Sequence, residues 1–189
     1  MPTRPPRRQP ASVRREQILD AAQAVMLRRG LQQATVAEIA AAAALGKGTV
    51  YLQFDSKDDV VDALRQRYVE GIEQAARAAV RRATSPPDQL RAFVRSFVIA
   101  STSDPELHHL LFHEAGVDEA KAFAPLRVAF IEVVKGGGFP ATNIDLVIDF
   151  TLGGIHAAAI TVAHLPANRR ARAVSAIADL VSRALGAER

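Results

Sequence analysis

The chain has 189 residues, 49% hydrophobic and 23% charged, enough to bury a substantial core in one large domain or two small ones. The absence of cysteine excludes disulfides, thiolate metal sites and a cysteine nucleophile, and fits a cytoplasmic protein. The formal net charge of +4 suits a polyanionic partner without requiring one.

The N-terminus is polar, Pro-rich and basic, with Arg4, Arg7, Arg8, Arg14 and Arg15 and no acid in the first fifteen positions. Residues 1–11 therefore read as a disordered basic arm, not a signal peptide. Beyond it the apolar residues recur at helical spacing, and no strand pattern is convincing. A first helix is expected from Ser12, which offers a capping hydroxyl, to Arg29, with Ile18, Ala22, Val25 and Met26 as its buried stripe. Gly30 is placed to end it in the left-handed region.

Thr35-Val-Ala-Glu38 has the spacing of a capping box and opens a second helix running to Ala42. A short turn through Ala43, Ala44 and Leu45 leads to a third helix, Lys47 to Phe54. Ser56 caps a fourth that reaches Ala83, and Thr84-Ser85-Pro86-Pro87 breaks the chain. Further helices are expected over 87–102, from Pro105 to Ala115, over 118–135, from Thr142 to His164 and from Asn168 to Leu185. About nine helices result, and the fold class is all-α.

Two short helices joined by a tight turn and braced by a third present a helix to the major groove. The third helix offers Lys47, Gly48, Thr49, Tyr51, Leu52 and Gln53 in under two turns. Lys47 and Lys57 can neutralise phosphates, and the hydroxyls of Thr35, Thr49 and Tyr51 can donate to phosphate oxygens. Gln53 suits an adenine edge and Leu52 a thymine methyl, while Gly48 lets the backbone approach DNA closely. Phe54 is expected in the core.

These residues carry a resemblance. Thr35-Val-Ala-Glu-Ile-Ala through Lys47-Gly-Thr-Val-Tyr-Leu-Gln-Phe54, followed by Ser56-Lys57-Asp58, resembles the DNA-binding signature of tetracycline-repressor-type (TetR family) regulators. The resemblance covers about residues 12–62. It implies an all-helical homodimer with a three-helix DNA-binding head, a helical ligand-binding body, and release of a palindromic operator when a small effector binds. Two positions depart from the family pattern. Ala44 stands where the turn often has Gly, and Gly46 where the third helix usually has a polar cap. A left-handed Ala44 would cost on the order of 1 kcal/mol.

On this reading residues 12–60 form the DNA-binding head and 61–189 the effector-binding, dimerising body. Phe93, Phe97, Phe112, Phe130 and Phe150 are candidate walls of an effector pocket, with His109 and His113 as polar anchors, which suits a hydrophobic or aromatic effector. His109 and His113 have the i, i+4 spacing of a metal pair, but no third ligand is evident beyond Glu114 or Asp118 and no metal is expected. No cofactor is expected either.

Phe150 to Leu165 is free of formal charge over sixteen residues. That is short of the roughly 20 needed to span a membrane, so burial on two sides is expected instead. Phe150, Gly153, Gly154, Ala157 and Ala158, with Val174, Ile177 and Val181 of the last helix, are the candidate dimer face. No nucleophile–base pair or phosphate-cradling loop appears, and Gly136-Gly137-Gly138 lacks the preceding strand a nucleotide loop needs. No enzymatic activity is expected.

Overall fold

A computed structural model describes residues 10–114, 117–139 and 144–187. Among these residues there are ten helices and no strand: α1 Ala11–Arg29, α2 Val36–Ala42, α3 Lys47–Tyr51, α4 Lys57–Arg82, α5 Pro86–Ser101, α6 Pro105–Phe112, α7 Glu119–Ala122, α8 Ala124–Gly136, α9 Ile144–Ala163 and α10 Ala167–Ala184. The chain divides into two compact units, residues 1–65 and 66–189, with the boundary inside α4. That is five residues beyond the expected one. Of the expected basic arm, residues 1–9 lie outside the described residues, and Ala11 already belongs to α1.

In the N-terminal unit, Ile18, Ala22, Val25 and Met26 of α1 are each 0% exposed, the stripe that the helical spacing demands. Its N-cap is Pro10, with no side-chain cap bond, rather than Ser12. Gly30 ends the helix at φ +80° but ψ 157°, so the chain leaves extended instead of curling through the left-handed helical region. The α2 capping box is complete: the Glu38 amide donates to Thr35 Oγ1 at 3.2 Å, and the Thr35 amide donates to Glu38 Oε2 at 3.1 Å.

The expected left-handed residue is present at Ala44, with φ +53°, the one non-glycine among the described residues with positive φ. An L-residue there carries a penalty of about 1–2 kcal/mol, against the extra 0.4–1 kcal/mol of unfolded-state entropy that a glycine would bring. Ala44 is exposed, so its methyl supports no packing. Ala44→Gly is expected to stabilise the N-terminal unit by roughly 0.5–1 kcal/mol, read as a rise in the urea midpoint at unchanged slope.

In the second unit, α5 packs on α8, α9 and α10. Ser85 caps α5 by accepting from the Asp88 amide at 3.3 Å, and Asp104 caps α6 by accepting from the Leu107 amide at 2.9 Å. The single helix expected over 118–135 is two. Phe123, at φ −90° and ψ 8°, separates α7 from α8, and Pro125 lies in the first turn of α8. Proline has no amide to give and clashes with the preceding turn, so a continuous helix cannot pass through it. The third helix is also shorter than expected. It stops at Tyr51, and Leu52 and Gln53 form the turn that feeds the Ser56 cap of α4, which accepts from the Asp59 amide at 3.0 Å. α9 is long and apolar enough to cross a membrane by length and composition alone.

Candidate functional site

α2 and α3 are joined by residues 43–46 and braced by α1. Val50 and Phe54 turn inward at 1% and 5% exposure, anchoring α3 and its exit to the core. That anchoring turns the rest of the segment outward: Lys47, Gly48, Tyr51 and Leu52 are exposed, and Thr49 and Gln53 are half-buried. Leu52 is 80% exposed and Tyr51 51%, an apolar and an aromatic side chain presented to solvent beside a lysine. Nothing within 4 Å would meet a Cβ at Gly48, so in the free protein the position is open and any crowding must come from a partner.

Two flanking candidates are engaged within the chain. The Thr35 hydroxyl donates to Glu38 Oε2 at 3.0 Å, and Arg29 holds the other oxygen of that carboxylate at 2.8 Å. These hydrogen bonds, Arg29's foremost, hold the Glu38 carboxyl below its ordinary value. The Lys57 ammonium donates to the Leu31 and Gln32 carbonyls at 3.0 and 3.3 Å, joining the start of α4 to the loop after α1. Sequence reasoning placed both side chains on phosphates; the capping-box spacing already signalled Glu38 as the partner of Thr35, whereas nothing in the sequence signalled the carbonyls that Lys57 holds. It read Arg15 only as part of the N-terminal basic stretch and gave Gln17 no role. Gln17 Nε2 donates to the Ala43 carbonyl at 2.7 Å, and Arg15 donates to the Gln53 carbonyl at 3.3 Å with its guanidinium 4.3 Å from the centre of the Phe54 ring.

In the second unit the expected effector residues separate. Phe93, Phe97, Phe112 and Phe130 are buried in two aromatic clusters: Phe93 meets Phe130 at 4.9 Å, and Phe123 meets Phe97 and Phe112 at 6.0 and 5.0 Å. Phe93 also forms part of the wall of a cleft of about 300 Å³ with Arg77, Val80, Arg81, Gln89, Ala129, Glu132 and Val133. His109 and His113 are exposed and stack on each other at 5.2 Å. Phe150 does not join the other phenylalanines; it is 82% exposed on α9. Among the described residues no group of three or more histidine or carboxylate side chains is arranged to hold a metal ion.

The polar centre of the aromatic core is a trio that the sequence did not assemble. His108 of α6 and His156 of α9 meet Nε2 to Nε2 at 2.9 Å, and the Tyr68 hydroxyl of α4 lies 3.0 Å from His108 Nδ1 and 3.3 Å from the Ser101 carbonyl. Burial, reinforced by His156 and then by His113 and His109, pushes the His108 imidazole down to about 4. Burial and then the charge of Asp104 raise the Tyr68 phenol.

α9 and α10 leave an apolar groove of about 580 Å³, walled by Leu146, Val147, Phe150, Thr151, Gly154, Ile155, Ala158, Ile177, Leu180, Val181 and Ala184. Gly153 and Ala157 are exposed on α9 nearby. Of the residues expected on the dimer face, Val174 and Val181 are buried in their own chain at 4% and 9% exposure, Val181 at the wall of the groove, and Leu180, 62% exposed, points outward on α10.

The pattern shared by bacterial regulatory proteins of the tetR family matches residues 18–64, the segment that holds all of α2 and α3. The chain is 34% identical over 122 residues to the HTH-type transcriptional activator FasR of Mycolicibacterium smegmatis, an alignment covering 65% of this chain and 56% of that protein. It is 28% identical over 150 residues to the HTH-type transcriptional repressor KstR2 of Rhodococcus jostii, covering 74% of each. Its fold matches the crystal structure of the transcriptional regulator FadR of Bacillus subtilis in complex with stearoyl-CoA, with a TM-score of 0.66 at 18% identity over 90% of this chain and 96% of that one.

Proposed function

We propose that this chain, which belongs to the tetR family of bacterial regulatory proteins, is a homodimeric, non-enzymatic cytoplasmic repressor that a small hydrophobic or aromatic effector releases from a palindromic operator. One observation carries the DNA-binding part. Val50 and Phe54 root α3 in the core while Lys47, Gly48, Tyr51 and Leu52 stand exposed, the arrangement that a recognition helix needs to enter a major groove. In this reading Lys47, Thr49 and Tyr51 hold phosphates, Leu52 and Gln53 meet base edges, and Gly48 lets the backbone approach. Thr35 and Lys57 act at the rim, from the α2 cap and the start of α4.

The apolar groove of α9 and α10 supports a second copy as its occupant, because two such faces meeting about a two-fold axis would form a four-helix bundle. The cleft beside Phe93 and the aromatic core behind it support an effector site among α4 to α8. The stearoyl-CoA bound to FadR is an effector-sized ligand with a long apolar chain, which favours the hydrophobic class. In the DNA-competent state the two recognition helices stand about 34–36 Å apart, matching successive major grooves. The effector changes that separation by binding one state better than the other.

Selection from a pool of random duplexes tests the proposal. A recovered palindrome with half-sites about one helical turn apart supports it, and binding that is weak, salt-sensitive and blind to sequence overturns it. With that site in hand, Lys47→Ala is expected to weaken binding to all duplexes alike and to lower the salt slope by about one. Gln53→Ala is expected to change the preferred sequence instead. The position of the site relative to a promoter separates repression from activation, the role that the FasR name carries.

A further inference from the structure

We infer that Arg15 and Gln17 are positioning residues that seat the recognition helix and thereby set sequence specificity without touching a base. The inference rests on the DNA-binding reading of α3 given above.

α3 has little of its own to hold it at one angle. It is five residues long, whereas isolated helices below about 12 residues are marginal even in favourable sequences. Its N-cap, Gly46, offers no side-chain bond, and the turn that feeds it passes through the left-handed Ala44. Within α3 only Val50 is buried. Beyond the packing of α3 on α2 and the Val50 and Phe54 anchors, its orientation depends on what holds the chain at its two ends.

α1 supplies it at both ends. Ahead of α3, Gln17 Nε2 donates to the Ala43 carbonyl at 2.7 Å. Behind it, Arg15 donates to the Gln53 carbonyl at 3.3 Å and lays its guanidinium 4.3 Å from the centre of the Phe54 ring. Arg15 and Gln17 lie two positions apart on α1, and their side chains reach the chain on either side of α3. α1 is a firm base for this, since its apolar stripe is wholly buried. Hydrogen bonds to base edges weaken steeply with misalignment, while point-charge attraction to phosphates tolerates it. Loosening either tether should therefore harm base reading more than general DNA affinity.

The competing role for Arg15 is a direct phosphate contact, and its charge tells the two apart. Lysine keeps the charge but loses the planar fork and the stacking on Phe54. Methionine at position 17 keeps the length and loses the donor. The experiment uses the full chain, its selected duplex and a scrambled duplex, at a temperature where circular dichroism shows each variant folded. R15K and Q17M are each expected to lower the ratio of specific to scrambled affinity about five- to tenfold, with scrambled affinity and salt slope unchanged.

R15K matching wild type while R15A loses one unit of salt slope would assign Arg15 to a phosphate and overturn its positioning role. A lower melting temperature with an unchanged ratio would make both tethers merely structural and overturn the inference. A wild type that selects a site while both variants keep its ratio overturns this inference alone. A wild type that prefers no duplex overturns the DNA-binding reading and this inference with it.

Discussion

Phe150→Glu is expected to convert a dimer into a monomer and to weaken binding to the selected palindrome by about a hundredfold or more. The side chain is 82% exposed on the single chain, so the substitution leaves the fold of the protomer intact. A two-fold interface uses each residue twice. Burying a phenylalanine contributes about 1.5–3 kcal/mol, and each of two buried carboxylates without a partner costs several more. The loss on DNA follows from the loss of pairing, because two linked heads on two half-sites gain about 10²–10⁴ over one. Sedimentation velocity and an operator titration on the same samples check both parts. A variant that remains dimeric would show that another face pairs the copies. A monomer with undiminished operator affinity would show that the heads do not act in pairs.

The second large effect is a fall in stability on acidification. His108 titrates near 4 in the folded chain, against about 6.5 in an unfolded one. Between those values the unfolded chain binds a proton that the folded chain refuses, so stability falls as pH falls. It is fully present above about pH 6.5, and roughly 3 kcal/mol is lost by pH 4, a large share of a typical 5–15 kcal/mol. The groups facing the imidazole are Tyr68, His156, His113 and the aromatic ring of Phe112, with His109 next to it in sequence. His108→Gln removes the titrating group. Whatever it does to the level of stability, urea midpoints between pH 4.5 and 6.5 should rise less steeply with pH, by about one proton. An unchanged slope would show that the native imidazole takes up its proton over the same pH range as the unfolded one.

The local code of the N-terminal unit was largely legible because each of its parts has a short-range cause. The Thr35–Glu38 cap, the left-handed Ala44, the Ser56 cap and the α1 stripe each depend on residues a few positions apart. The aromatic core of the second unit was legible as composition but not as a pocket. A phenylalanine at helical spacing looks the same whether it lines a cavity or fills one, and Phe97, Phe112 and Phe130 are buried in ring-to-ring packing. The division of the helix around Phe123 was legible in principle, since Pro125 is a restart signal that apolar periodicity overrode.

Contacts between residues far apart in sequence were not legible at all. Arg15 with Gln53, Gln17 with Ala43, Lys57 with Leu31 and His108 with His156 join side chains and carbonyls 26 to 48 positions apart. The face of α10 shows the finer limit. Val174 and Leu180 are both apolar on one helix, and only packing reveals that the first turns inward and the second outward.

The Tyr68–His108–His156 trio has a property beyond its effect on acid stability. In one arrangement the phenol donates to His108 Nδ1, and His108 Nε2 donates to His156 Nε2. In the other the phenol donates to the Ser101 carbonyl, His108 Nδ1 donates to the phenol oxygen, and His156 Nε2 donates to His108 Nε2. The distances of 3.0, 3.3 and 2.9 Å serve both. Reversing the row exchanges the tautomers of both imidazoles together with every heavy atom in place, and it requires the proton that His156 carries on Nδ1 in the first arrangement to leave as another reaches the phenol. Three helices, α4, α6 and α9, are thus joined by a bond pattern that either set of tautomers completes.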